Sequence, residues 1–201
     1  MKKIILFMAF IAMAGGSAVA QGYTSIHYDI GIPLGNTSDQ ITKGSFRGVG
    51  LDYRKAINTN FAAGFSLGWQ VFYQRNDYAT YTGTIGDKTV DLTGVQYNYL
   101  NAIPLHGNIG YYLGDPDNTI RPFIGLGIGT TYFERRVEMG LYVNEINAWQ
   151  FSIQPEAGFI YELSDSMGAF VGAKYTQGFT TDKLDGQSYI SINVGFAWKL
   201  N

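Results

Sequence analysis

The residues of this chain whose chemistry goes beyond packing are two histidines and a scatter of carboxylates. His27 and Asp29 lie two positions apart, so on a strand both project from one face. That spacing suits an acid–base pair or two ligands of a metal ion. His106 is the other histidine, and no H-E-x-x-H spacing accompanies either one. A hydrogen-bonded structural pair is therefore the better reading of His27 and Asp29. The run Phe123-Ile124-Gly125-Leu126-Gly127-Ile128-Gly129 looks superficially like a dinucleotide-binding loop. Its glycines keep a period of two and no helix-forming segment follows, so glycine facing a crowded interior explains it better. No catalytic, cofactor-binding or metal-binding residue is assigned, and no cofactor is expected.

Composition narrows the classes further. The chain has 201 residues, 46% of them apolar, 15% charged and 15% aromatic, with 26 glycines and no cysteine. Disorder is excluded by the aromatic content and small net charge. The missing cysteines exclude a disulfide scaffold, a Cys-ligated zinc site and a thiol nucleophile. Acidic residues outnumber basic ones 16 to 14 and no basic tract occurs, so nucleic acid is not an expected partner.

Lys2 and Lys3 precede a short apolar stretch over residues 4–14, followed by Ala18-Val19-Ala20. This is the pattern of a signal peptide over residues 1–20, cleaved between Ala20 and Gln21. The stretch is shorter than the ~20 residues of a permanent membrane helix. One domain is expected over residues 21–201.

Residues 21–201 alternate with period two. Ile190, Ile192, Val194, Phe196, Trp198 and Leu200 share one parity, while Tyr189, Ser191, Asn193, Gly195, Ala197 and Lys199 share the other. On a strand these sets face opposite sides of the sheet. The same split recurs over 61–74, 124–132 and 149–163, and less cleanly over 23–34, 45–57, 90–113 and 168–180. That predicts eight strands. Asn58-Thr59-Asn60, residues 115–119 and residues 164–167 read as short turns. Longer polar loops are expected near 35–43, 75–89, 135–147 and 181–187. Short turns at one end and long loops at the other describe an all-β, eight-stranded antiparallel up-and-down barrel.

The polar parity decides which face is outside. It is mostly Gly, Ser, Thr, Gln and Asn, without the many Lys and Glu that blunt a water-facing sheet. Such residues fit the interior of an eight-stranded barrel, which is just wide enough for side chains to fill. The other parity carries large aliphatics, with Trp69, Tyr73, Tyr97, Tyr99, Tyr111, Tyr132, Trp149, Tyr161 and Trp198 near the strand ends. That is the layout of a lipid-facing band between aromatic girdles, so the barrel is expected to be transmembrane. A secreted soluble barrel binding an apolar ligand would have its faces inverted.

The signal peptide, the eight alternating strands and the closing Ile192-Asn193-Val194-Gly195-Phe196-Ala197-Trp198-Lys199-Leu200 resemble the small bacterial outer-membrane barrels of the OmpA/OmpX/OmpW type. Ile103-Pro104-Leu105 followed by Tyr111-Tyr112 also resembles a strand motif of such barrels. The chain departs from the pattern by ending Lys199-Leu200-Asn201 instead of on the aromatic. The resemblance implies residence in the outer membrane of a Gram-negative bacterium, with periplasmic termini. It also implies contact with outer-membrane lipid and lipopolysaccharide. Phe196 and Trp198 would then form the C-terminal signal read by the barrel-assembly machinery. Lipid A deacylases and palmitoyl transferases are eight-stranded too. Here, however, the histidines read His27-Tyr28-Asp29 and His106-Gly107-Asn108, without the H-x-S pair of the deacylases. The amphipathic helix that opens the transferases is also missing before strand one.

By parity the inward charges are Asp29, Asp52, Arg54, Glu156, Glu162, Lys174 and Lys199, with His27 beside them. Charges inside a protein must be paired and hydrogen-bonded. Mixed signs predict a salt-bridged network that fills the lumen. The expected role is structural or surface-interacting, with exposed loops meeting a partner that the sequence does not name. A narrow channel for ions or small solutes is the alternative, and a lipid-modifying enzyme the third reading.

Overall fold

The computed structural model describes residues 22–85, 88–115 and 118–200. The signal-peptide and cleavage-site assignments at residues 1–21 lie outside them. Eight antiparallel strands follow one another around a closed barrel: β1 (Gly22–Leu34), β2 (Gly48–Ala56), β3 (Phe61–Ile85), β4 (Lys88–Tyr112), β5 (Ile120–Met139), β6 (Tyr142–Glu162), β7 (Met167–Gly178) and β8 (Ser188–Leu200). β8 closes the ring on β1 along its length, from Gly22↔Leu200 to Leu34↔Ser188. One helical turn, α1 (Gly35–Ser38), follows β1. The up-and-down barrel expected from the alternation is the fold.

The parity assignment holds in space. Ile26, Val49, Leu67, Trp69, Ile109, Ile124, Ile128, Trp149, Phe151, Val194 and Phe196 are exposed on the outer wall. Their strand neighbours Ser25, Asp52, Ser66, Gln70, Asn108, Gln150, Ser152, Gln154 and Asn193 are buried inside. An aromatic row through Tyr132 and Trp149 (ring centroids 5.3 Å apart) marks one end of the apolar wall. Phe61 and Tyr111, with centroids 4.9 Å apart, mark the other. The rows lie eight residues apart on β4, from Ile103 (paired with Tyr132) to Tyr111. That is about 27 Å of tilted strand, comparable with the ~25 Å apolar band of an outer-membrane barrel.

Two segments expected to be loops are strand instead. Residues 75–89 and 135–147 lie almost wholly within the β3–β4 and β5–β6 hairpins. Above the membrane both faces of a strand meet water, so the alternation that signals a strand in lipid fades there. The β5–β6 turn is only Gly140-Leu141, and its first position needs a positive φ (58°), which glycine adopts without a Cβ penalty. The interior also differs from an all-polar filling. Phe72, Leu100, Phe123, Phe133, Ile160, Phe170 and Tyr189 are all buried inside, in two clusters at opposite ends of the lumen.

Candidate functional site

The centre of the lumen is ionic, because the strands bring their inward charges to one level. β2 supplies Asp52 and Arg54, β6 supplies Glu156 and β7 supplies Lys174. Glu156 and Lys174 sit directly opposite on neighbouring strands, yet each bonds across the barrel. Lys174 Nζ donates to Asp52 Oδ1 at 2.6 Å, and Arg54 Nη2 donates to Glu156 Oε2 at 2.7 Å. Asp52 Oδ2 lies 3.4 Å from both Arg54 Nη2 and His27 Nε2. His27 Nδ1 bonds Asp29, whose Oδ1 also accepts from Asn193 Nδ2 at 2.6 Å. The Arg54 guanidinium lies over the Phe123 ring at 4.6 Å, and His27 stacks on Phe170 at 5.3 Å. Every member is nearly free of solvent, so each charge depends on these partners.

Six of the eight inward groups singled out in the sequence thus meet in one network: His27, Asp29, Asp52, Arg54, Glu156 and Lys174. Glu162 and Lys199 stand apart from it. They pair with each other at 2.5 Å and remain partly exposed. Phe196 and Trp198 project outward on β8 with ring centroids 6.5 Å apart. Among the described residues no group of three or more His, Cys, Asp or Glu is arranged to hold a metal ion.

Glycines let these side chains lie across adjacent strands. His27 pairs with Gly50 on β2, and its ring occupies the space a Cβ there would need. Gly50→Ala is expected to push the ring off its partners and cost about 1–3 kcal/mol, read as a lower urea midpoint for the folded barrel in lipid. Gly129 lies between His106 and Ser152, its register partners on β4 and β6, and a Cβ there would meet the Leu105 carbonyl of the neighbouring backbone. His106 Nε2 lies 2.8 Å from Ser152 Oγ, which is also 2.8 Å from Thr131 Oγ1. This histidine–serine contact was not evident from spacing, since it spans three strands. Its residues are buried, away from any surface a substrate reaches.

Apolar clusters close the lumen above and below this level. At the short-turn end lie Tyr23, Tyr112, Phe123, Ile160 and Phe170. Arg121 caps them. It bonds the Thr59 carbonyl and lies 4.9 Å from the Tyr112 ring. The sequence reading missed Arg121 because it began that strand at Ile124. At the mouth, Ile41 and Leu184 enter from two loops and pack with Phe72, Leu100, Phe133 and Tyr189. Hydrogen bonds hold both loops down. Asn98 Nδ2 donates to the Gln40 carbonyl at 3.0 Å, and Gln150 Nε2 donates to the Leu184 and Asp185 carbonyls at 3.0 and 2.9 Å. Thr37 Oγ1 donates to Gln187 Oε1 at 2.9 Å, tying one loop to the other. Beside His27, Asp29, Gln70 and Lys174 there is a cavity of about 20 Å³, enough for about one water molecule.

Past the mouth, β3 to β6 continue as a sheet while the other strands end. β5 and β6 stay paired up to Met139↔Tyr142, and β4 pairs with β5 as far as Tyr97↔Glu138. Beyond that, β3 and β4 form a two-stranded ribbon from Ala79↔Gly94 to Ile85↔Lys88. Thr80–Thr93 and Thr82–Asp91 side-chain bonds, both 2.8 Å, cross-link it. A β-bulge between Asn76 and Ala79 marks its base. Among the described residues no strand pairs with the outer edge of β3 from Phe72 to Ile85, nor with that of β6 from Val143 to Gln150. Tyr78 (73% exposed) and Leu141 (fully exposed) stand at the projecting parts.

A family model described as surface antigen matches residues 63–193. No curated protein matches the chain significantly. Among solved structures, the attachment invasion locus protein Ail of Yersinia pestis, in complex with the heparin analogue sucrose octasulfate, superimposes with a TM-score of 0.56 at 10% identity. The match covers 91% of this chain and all of that one. The outer membrane protein OprG of Pseudomonas aeruginosa gives a TM-score of 0.54 at 11% identity, over 92% of this chain and 98% of the other. Neisserial surface protein A gives 0.52 at 12%, over 92% and 99%. At these identities the likeness is one of fold, that of the small outer-membrane barrel.

Proposed function

Because the chain belongs to the surface antigen family and is an integral outer-membrane β-barrel, we propose that it is a surface-interaction protein whose lumen does not conduct. One observation carries this reading: the lumen is filled at three successive levels, while four strands extend beyond it with two unpaired edges. Unpaired strand edges are templates for strand addition. A two-stranded ribbon is only marginally stable alone in water, so a partner that adds a strand to β3 would stabilise it. The partner class is thus an extended protein segment. The sulfated ligand of Ail would meet a mixed surface here, with Glu134, Glu138, Glu145 and Asp91 among Arg75, Arg135 and Arg136, which favours a polyanion less.

The same reading places the termini in the periplasm and the projecting sheet outside the cell. It assigns residues 1–20 to export, residues 21–201 to the barrel domain, and Phe196 and Trp198 to recognition by the assembly machinery. Outer-membrane lipid and lipopolysaccharide surround the wall. Catalysis is no part of it, since the His106–Ser152 contact is sealed from solvent. The first residue of protein purified from outer membranes is expected to be Gln21, and N-terminal sequencing checks this.

Conductance decides between the surface role and a channel. In planar bilayers the protein is expected to give no stepwise current, whereas steady unitary steps would establish the channel. A trimmed variant, with Asn76 joined to Gln96 through an Asn-Gly turn, is expected to keep its folded-barrel gel mobility. Cells displaying it should attach to protein-coated surfaces at least about tenfold less well than cells displaying the full chain, as loss of one main binding element predicts. Equal attachment would sink the ribbon as the binding element.

A further inference from the structure

The outer wall carries a groove that lipid must fill. It has a volume of about 550 Å³ and crosses β2 to β5 in the half of the wall nearer the short turns. Tyr53 and Phe65, stacked with centroids 5.4 Å apart, form one side. Ile109, Leu126 and Ile128 form the other. The floor is low because Ala63 and Gly107 stand where neighbouring rows carry Leu67 and Leu105. In the hydrocarbon layer no water fills such a hollow, and an unfilled one forfeits its dispersion contacts.

Lys55 lies at the turn end of this groove. Between the two aromatic rows it is the only outward-facing charged residue on the wall among the described residues. A lysine on the lipid face is costly near the midplane, and its long stem carries the ammonium toward the interface. Lys55 pairs with Ala63, one row inside Phe61, so its stem is long enough to bring the ammonium to headgroup level beside the groove.

We propose that this groove is a binding site for one anionic glycerophospholipid of the leaflet at the short-turn end. One acyl chain lies between the Tyr53–Phe65 stack and the isoleucines, and the phosphate meets Lys55. Location fixes the hydrocarbon, and charge complementarity selects the headgroup.

The test is native mass spectrometry of the full barrel released from bilayers holding equal amounts of phosphatidylglycerol and phosphatidylcholine. The wild-type barrel is expected to retain one phosphatidylglycerol, favoured about tenfold over phosphatidylcholine. Lys55→Gln should bring that ratio close to one. Gly107→Leu should abolish retention of both lipids, because a Cβ at Gly107 meets no atom closer than 3.9 Å and the side chain enters the groove without disturbing the wall. Unchanged heat-dependent gel mobility shows that each variant is folded, and Ala63→Leu fills the groove from the next strand should Gly107→Leu not fold. Equal retention of the two lipids by wild type, or undiminished phosphatidylglycerol on a folded groove-filled variant, overturns the proposal. If neither filling variant folds, the Lys55→Gln ratio decides: an unchanged preference overturns it.

Discussion

Asp52→Ala is expected to destabilise the barrel by about 3–5 kcal/mol, the cost of leaving buried charges without their counter-ion. Asp52 is the hub of the ionic level: Lys174 bonds it at 2.6 Å, and Arg54 and His27 approach to 3.4 Å. Its removal leaves the Lys174 ammonium with only a 3.4 Å contact to His27 Nε2, which offers no compensating charge. Strand rearrangement cannot bring in water cheaply, because aromatic clusters lie above and below. The double variant Asp52→Leu with Lys174→Met removes both charges and is expected to recover most of the loss, since a packed apolar pair often matches a buried ion pair. Urea titration in lipid, followed by fluorescence of Trp69, Trp149 and Trp198, measures both. A double variant as unstable as the single would mean that shape rather than charge is what Asp52 contributes.

Ile41→Ala and Leu184→Ala should have their largest effect locally. Each side chain is almost fully buried but comes from a loop, not from a barrel strand. Truncating a buried aliphatic costs about 2–5 kcal/mol. Here that loss falls on docking of the loops, whose opening free energy is smaller than that of the barrel. Residues 36–44 and 181–187 are therefore expected to exchange amide hydrogens at least about thirtyfold faster in the variants, the rate equivalent of 2 kcal/mol. Amides of β7 and β8 should keep their protection. The two substitutions should combine less than additively, because both side chains enter one cluster. Uniform loss of protection around the barrel would contradict the division into wall and lid.

How much was legible beforehand follows from where lipid acts. Within the bilayer, one face of each strand must be apolar, so parity alone sorted Ile26 from His27 and Val49 from Asp52. The same parity turned eight charged or ionisable side chains inward without any knowledge of register; six of them meet in one network, while Glu162 and Lys199 form a separate pair. Register then decided the partners: Lys174 sits beside Glu156 but bonds Asp52 across the lumen. Above the bilayer the constraint lapses. Residues 75–82 and 135–147 carry polar side chains on both faces, and their strand character rests on pairing that no single segment reveals. Apolar residues of inward parity, such as Phe72 and Phe133, broke the polar pattern because loops fold back to cover them. Ile41 and Leu184 gave no sign of this, since an isolated aliphatic in a polar loop is ordinary.

The height of β3 has a mechanical consequence. From Phe72 to Ile85 it carries about 45 Å of strand beyond the level where β2 ends, at ~3.4 Å per residue. A partner held at the far end of the ribbon pulls along the strand axis. The hydrogen bonds joining β3 to β4 run perpendicular to that axis, so the pull is a shear borne by many bonds together. Peeling, in which they would break one after another, needs a force across the ribbon instead. Tension is passed from β3 and β4 to β5 below Tyr97 and from there into the closed ring, whose wall is anchored by its apolar surface in the membrane. In the surface role proposed above, the asymmetric rim would act as a tether that resists being drawn away from the cell, its free end bending sideways at the bulge.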